Sequence, residues 1–81
     1  MAVDWRTRIT LDPAVLVGKP TIRGLRISVE HVLRALGNGI PPDELLAEYP
    51  DLQPEDLQAC QSYAADVVAS ERVYPVRADV A

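Results

Sequence analysis

A chain of 81 residues with 48% hydrophobic residues is long enough for one small domain and too apolar to be disordered. The net charge is −4. No apolar run approaches the roughly 20 residues that cross a bilayer, and this argues against a membrane protein. Cys60 is the single cysteine, so an intrachain disulfide is excluded. We therefore expect a soluble, cytoplasmic protein with one domain, 1–81. A domain this small often gains stability by self-association, which favours a homodimer or a higher oligomer.

Charge is distributed unevenly along the chain. Residues 1–37 contain six Lys or Arg residues and three acids, whereas residues 38–81 contain two Arg residues and nine acids. A basic N-terminal face would suit phosphate groups, and an acidic C-terminal face would suit a basic protein. The alternative interpretation is that both sets are ordinary solvated charges.

The N-terminal third, about 8–27, is predicted to be a β-rich arm. Residues 9–11 form a short apolar run, which Pro13 interrupts. Residues 20–22 and 25–27 are two further extended runs, separated by Arg23 and Gly24. Because Gly24 can adopt a positive φ at little cost, we predict a tight β-hairpin over 20–27.

Three helices are predicted to follow the arm. Ser28 is a typical N-cap, and apolar residues at 29, 32, 33 and 36 give one helical face over about 29–36. Pro42 suits the first position of a second helix, about 42–48, which has acids in its first turn. Pro54 begins the third helix, about 54–72, and a short tail, 73–81, follows it. The predicted inner face of the third helix consists of Leu57, Cys60, Ala64, Val67 and Val68.

Two long motifs in this order are typical of one protein family. Residues 18–29 read GKPTIRGLRISV, and residues 44–57 read ELLAEYPDLQPEDL. Together they resemble the hallmarks of domain-of-unknown-function family 433, and the resemblance covers roughly 8–68. Leu25 and Ser28 stand where the family usually has Thr and Pro. Ser28 still caps a helix, whereas an apolar Leu25 beside a turn suggests a contact with a partner.

The resemblance implies both a fold class and a function. The expected fold is mainly α with a short N-terminal β-hairpin, a homeodomain-like three-helix helix-turn-helix. Members of the family are thought to be antitoxins, often encoded beside a nuclease toxin with a PIN-type fold. By resemblance, we expect the antitoxin of a type II toxin–antitoxin pair, which neutralises a PIN-like toxin and regulates transcription by binding its own operator DNA. The alternative is a protein-interaction or oligomerisation module that does not bind DNA.

No residue pattern indicates catalysis. His31 is the single histidine, so a general base would lack a visible partner, and one His with one Cys cannot form a four-ligand zinc site. Cys60 is predicted to be a buried, inert thiol. Most acids of the second half occupy the first turns of helices, where the helix dipole favours negative charge. We expect no enzymatic activity, no metal and no cofactor.

DNA binding would depend on the cations of the arm. Phosphate neutralisation supplies most of the affinity in such complexes, and the third helix has no Lys or Arg before Arg72. Two-stranded ribbons can enter a DNA groove, and Gln can pair with adenine. The competing interpretation is that Arg23 and Arg26 form salt bridges with the acidic half. The candidate DNA contacts are Lys19, Arg23, Arg26, Arg6, Arg8, Gln53 and Gln58.

A protein partner would meet the acidic second half of the chain. Charge complementarity with a basic nuclease groove would speed association. Tyr63, Tyr74 and Val76 are the candidate anchors for such a partner, since aromatic residues dominate binding hot spots. The alternative for Tyr63 is ordinary packing in the core or in a dimer interface.

Overall fold

A computed structural model describes residues 3–70 of the chain. Two short strands lie in the N-terminal arm and three helices follow them, which confirms the predicted mainly α fold with a short β element. The predicted tail, 73–81, and the predicted end of the third helix near 72 lie outside the described residues. The elements are β1 (Ile9–Thr10), β2 (Thr21–Ile22), α1 (Val29–Gly37), α2 (Pro42–Glu48) and α3 (Pro54–Ser70), with 3-10 turns at Trp5–Thr7 and Leu16–Gly18.

β2 takes part in the predicted hairpin and also pairs with β1, which was not predicted. β1 and β2 are antiparallel, with Ile9 opposite Ile22. The chain does turn back after β2, since Leu25 N donates to Ile22 O at 2.7 Å. Arg23 and Gly24 have φ of 48° and 75°, as the primed hairpin turns require. Beyond this turn, Ile22 N donates to Ile27 O at 3.1 Å and Thr21 forms an antiparallel bridge with Ser28. The hairpin is short because the chain then enters α1.

α1 begins where the sequence places a cap. Ser28 Oγ accepts a hydrogen bond from the backbone N–H of His31 at 2.9 Å, which satisfies one amide of the first turn. The helix buries Val29, Val32 and Ala35, and it ends at Gly37. Gly39, with φ of 89°, reverses the chain towards α2.

α2 and α3 meet at a corner formed by residues 49–53. Pro42 occupies the first turn of α2, where a missing N–H costs nothing. Leu45 is buried from α2, Leu52 is buried from the corner, and Leu57 is buried from α3. These three leucines close the core between the two helices.

The core is aliphatic and lies between the arm and the three helices. Its most deeply buried side chains include Ile22, Val32, Leu45 and Cys60. Burial, assisted by the charge of Asp56, raises the pKa of the Cys60 thiol to about 12, which keeps it protonated and unreactive. Within residues 3–70, no helix is both long and apolar enough to cross a membrane.

Candidate functional site

A buried carboxylate joins the arm to the corner between α2 and α3. Asp56 is fully buried in the first turn of α3. Its Oδ1 accepts from Arg8 Nη1 at 2.9 Å, and its Oδ2 accepts from Arg23 Nη2 at 2.9 Å. The backbone N–H of Gln53 also donates to Oδ2, at 2.9 Å. These four residues, Arg8, Arg23, Gln53 and Asp56, are called the Asp56 cluster below.

Both arginines make a second hydrogen bond within the same region. Arg8 Nη1 donates to Gln53 Oε1 at 2.8 Å, and Arg23 Nη2 donates to the carbonyl oxygen of Asp51 at 2.6 Å. Arg8 and Arg23 keep 24% and 32% of their side chains exposed, so each guanidinium group lies at the surface while its partner lies inside. Among the described residues, no buried side-chain nitrogen or oxygen atom lacks a hydrogen-bond partner.

The electrostatics of the cluster favour a charged Asp56. Burial alone would raise the pKa of Asp56, but the hydrogen bonds from Arg23, the Gln53 amide and Arg8 outweigh it, and the pKa lies below its ordinary value. The hydrogen bond to Asp56 likewise raises the pKa of Arg23. The cluster is therefore a permanent ion network at neutral pH.

This cluster contains three of the seven candidate DNA contacts, namely Arg8, Arg23 and Gln53. A DNA phosphate would have to compete with these hydrogen bonds for both guanidinium groups. Arg23 forms a salt bridge with Asp56 of the acidic half, as the competing interpretation predicted. The proposed contact of these three residues with DNA stays a prediction.

The other candidate DNA contacts are exposed. Lys19 Nζ lies 3.2 Å from Glu30 Oε1, and Arg34 binds the same carboxylate, which lowers the pKa of Glu30. Arg6 lies 4.6 Å above the ring of Trp5. Arg26 forms no salt bridge with any residue from 3 to 70. Gln58 is exposed on α3.

Among the candidate partner anchors, Tyr63 is described, whereas Tyr74 and Val76 lie outside the described residues. Tyr63 is half-buried and meets Trp5 edge to face, with ring centroids 4.8 Å apart. Trp5 Nε1 also donates to Asp66 Oδ2 at 2.7 Å. Tyr63 therefore holds the arm on α3, and its remaining surface lines a neighbouring groove.

An open apolar groove of about 470 Å³ lies between α1 and the second half of α3, and we call it the α1–α3 groove. The inner face predicted for α3 includes Val68, but this side chain is 70% exposed. The reason is geometric, because α3 has 17 residues and extends about 25 Å, whereas the nine residues of α1 extend about 13 Å. The groove is lined by Pro20, Val29, Glu30, Leu33, Arg34, Tyr63, Ala64, Val67 and Val68.

A second, smaller cavity of about 220 Å³ lies beside Arg26, and we call it the Arg26 cavity. His31 Nε2 and the Tyr49 hydroxyl lie 2.9 Å apart on its wall, and the two rings meet edge to face. From the sequence, Tyr49 was predicted only to end α2 before Pro50. His31 lies in α1, 18 residues earlier, and no local sequence pattern indicates that the two side chains pair. The cavity is lined by Leu16, Arg26, Ile27, Ser28, His31 and Tyr49.

The helical surface is acidic. Residues 35–70 contain no Lys or Arg. Six of the seven acids in this stretch are exposed, and none of the six forms a salt bridge within the described part of the chain. The exposed acids are Asp43, Glu44, Glu48, Asp51, Glu55 and Asp66. In residues 3–70, no group of three or more His, Cys, Asp or Glu side chains is placed to hold a metal ion.

These features define a small three-helix domain with an apolar groove and an acidic helical surface. The sequence profile of DUF433, a family of proteins of unknown function, matches residues 9–64, and the chain belongs to this family. A crystal structure of a DUF433 member protein from Anabaena variabilis is similar, with 37% sequence identity and a TM-score of 0.72. The similarity covers 76% of this chain but only 61% of that protein, so the chain spans about three fifths of its length. A search of curated proteins found no match.

Proposed function

We propose that this protein is an antitoxin that binds and silences a PIN-like nuclease through the α1–α3 groove. The observation that carries the proposal is the uncovered apolar stripe of α3 in the described part of the chain. In a monomeric domain of this size, a contiguous exposed apolar surface is typical of a protein–protein contact. As the partner of a bacterial nuclease, the antitoxin would act in the cytoplasm.

Charge complementarity supports a basic partner. Residues 35–70 contain no Lys or Arg that could neutralise the six exposed acids of this segment. A nuclease presents a basic surface to its RNA or DNA substrate, and such a surface would be attracted to these acids. The acids would accelerate the encounter, and the groove would supply the buried contact.

The experiment first identifies the genes beside this one, among which the proposal requires a PIN-like nuclease, and then measures inhibition of that nuclease. We expect the purified protein to form a stable complex with that nuclease and to abolish its activity near equimolar ratio. Val68→Asp places a charge in the groove without disturbing the core, and we expect at least a tenfold loss of inhibition. The matched control is Leu11→Asp, since Leu11 is 61% exposed and lies outside the groove.

The results separate the proposal from its alternative. Failure of the unsubstituted protein to bind or inhibit the nuclease would reject the antitoxin function. An equal effect of Val68→Asp and Leu11→Asp would reject the groove as the contact. If the protein alone sediments as a dimer that Val68→Asp dissociates, the groove holds a second copy, and the oligomerisation module is the better description.

Operator binding is the second part of the proposal, and the exposed Arg26 is the observation that favours it. Arg26 is not used by the Asp56 cluster or by any other salt bridge of residues 3–70. A gel shift with the DNA upstream of the gene should show binding that weakens as the salt concentration rises from 50 to 200 mM, roughly the range over which phosphate contacts are screened. Binding that does not respond to salt, or no binding, would reject this part.

A further inference from the structure

The Arg26 cavity is lined by one cationic side chain and by several neutral polar ones. Its polar side chains are the Arg26 guanidinium, the His31 imidazole, the Tyr49 hydroxyl and the Ser28 hydroxyl, and no carboxylate of residues 3–70 lines it. Each of these groups can donate a hydrogen bond. In a protein with a net charge of −4 this combination is unexpected, and it suits an anion.

Arg26 is available for such a ligand. Its side chain is exposed and has no carboxylate partner among residues 3–70, whereas Arg8, Arg23, Lys19 and Arg34 all have one. The hydrogen bond between His31 Nε2 and Tyr49 Oη fixes both rings against each other on the cavity wall. The backbone N–H of His31 donates to Ser28 Oγ and is therefore not free for a ligand.

A strained turn contributes one residue, Leu16, to the lining of the cavity. Leu16, which lines the cavity, has φ of 49°, and Val17, which follows it, has φ of 56°. Consecutive left-handed residues other than glycine are rare, and a β-branched residue in this conformation is an outlier. Strain of this kind concentrates at ligand sites, because the rest of the structure must hold it in place. Val17 itself is 95% exposed, so no burial of its own side chain explains the conformation.

We propose that the Arg26 cavity binds a phosphate group, with Arg26 as the charged ligand and with the Ser28 hydroxyl and the remaining proton of the His31–Tyr49 pair as hydrogen-bond donors. The phosphate is either free, as inorganic phosphate or the phosphate of a mononucleotide, or part of a nucleic-acid backbone. The inference does not rest on the antitoxin function, since a phosphate site would exist whatever occupies the α1–α3 groove.

The experiment is a ¹H–¹⁵N NMR titration of the whole chain at low ionic strength with three probes. The probes are inorganic phosphate, a mononucleotide and a short DNA duplex. We expect saturable shifts of the Ser28, His31 and Tyr49 amides. Shifts with phosphate and mononucleotide alone assign the site to a free phosphate, and shifts with the duplex alone assign it to the DNA backbone. No saturable shift with any of the three probes overturns the proposal.

The variants test which side chains hold the phosphate. Arg26→Gln should raise the dissociation constant at least tenfold, and Tyr49→Phe, which keeps the ring and removes the hydroxyl, should raise it severalfold. Arg6→Gln removes the same charge outside the cavity, over the Trp5 ring, and it should leave the shifts of inorganic phosphate unchanged. It is compared with inorganic phosphate only, because Arg6 is itself a candidate DNA contact. Shifts that persist in Arg26→Gln, or inorganic-phosphate shifts that are lost equally in Arg6→Gln, overturn the proposal. Well-dispersed spectra of every variant show that the fold is retained.

Discussion

Asp56 keeps its charge inside the protein because donors reach it from three separate segments. Arg8 precedes β1, Arg23 lies in the turn after β2, and the amide of Gln53 precedes α3. The desolvation of a lone buried carboxylate would cost several kcal/mol, so each donor is needed to offset it. The cluster thereby links the arm to the helices through a single side chain.

Replacement of Asp56 tests how much stability this side chain supplies. Asp56→Asn removes the charge that both guanidinium groups share, and we expect a loss of about 1–3 kcal/mol in the free energy of unfolding, since both groups stay in contact with water. Glu48→Gln removes one carboxylate from an exposed position of α2, and we expect a change within about 0.5 kcal/mol. Urea unfolding of the two variants gives both values. A similar, small effect of both substitutions would contradict the structural role of the cluster.

The same carboxylate predicts a dependence of stability on pH. The pKa of Asp56 is lower in the folded protein than in the unfolded chain, so its contribution is complete above the ordinary carboxyl pKa of about 3.9. As the pH falls below this value, the unfolded chain binds a proton first and the contribution is lost. We expect the stability difference between the unsubstituted protein and Asp56→Asn to shrink from pH 6 to pH 3. A constant difference over this range would count against a charged Asp56.

The sequence predicts some members of the Asp56 cluster but not the contacts that bring them together. An acid in the first turn of α3 was predictable from the helix dipole, and the salt-bridge interpretation of Arg23 was already open. The burial of Asp56 was not predictable, because its partners Arg8 and Arg23 are 48 and 33 residues away in the chain. No local pattern encodes a contact at that separation.

At the scale of elements, helix boundaries followed from local chemistry, whereas strand partners did not. The Ser28 cap and the prolines at 42 and 54 place the starts of the three helices within the chain. The hairpin after β2 followed from its turn residues, whereas the additional pairing of β2 with β1 depends on how the arm packs over the core. The exposed stripe of α3 exists because α3 is longer than α1. Helical periodicity identifies an apolar face, but it does not show whether a neighbouring helix is long enough to cover that face.

The turn at Leu16–Gly18 is the element with the most strained backbone. A left-handed conformation costs an ordinary residue about 1–2 kcal/mol, whereas Asn tolerates it. We therefore expect Val17→Asn to raise the free energy of unfolding by about 1 kcal/mol, because the exposed Val17 side chain loses no packing. Leu11→Asn, at an exposed position with an ordinary φ, should give no such gain. Equal thermal midpoints for Val17→Asn and the unsubstituted protein would contradict the strain.

At the scale of the whole molecule, the arm and the helices should unfold together. Trp5 packs on Tyr63 and donates to Asp66 of α3, while Arg8 joins the Asp56 cluster and β1 pairs with β2. Trp5 is the single tryptophan, so its fluorescence reports on the arm, and far-UV circular dichroism reports on the helices. We expect coincident urea transitions by the two methods. A fluorescence transition that precedes the loss of helix would show that the arm detaches on its own.

The lack of Lys and Arg from 35 to 70 has a practical consequence for proteolysis. Trypsin cuts after these two residues, so α2 and the described length of α3 offer it no cleavage site even when they are unfolded. Every early tryptic cut within residues 3–70 must fall in the arm or in α1, with the exposed Arg26 as an accessible target. Tryptic cuts within residues 3–70 therefore report the opening of the N-terminal half, without a contribution from α2 or the described length of α3.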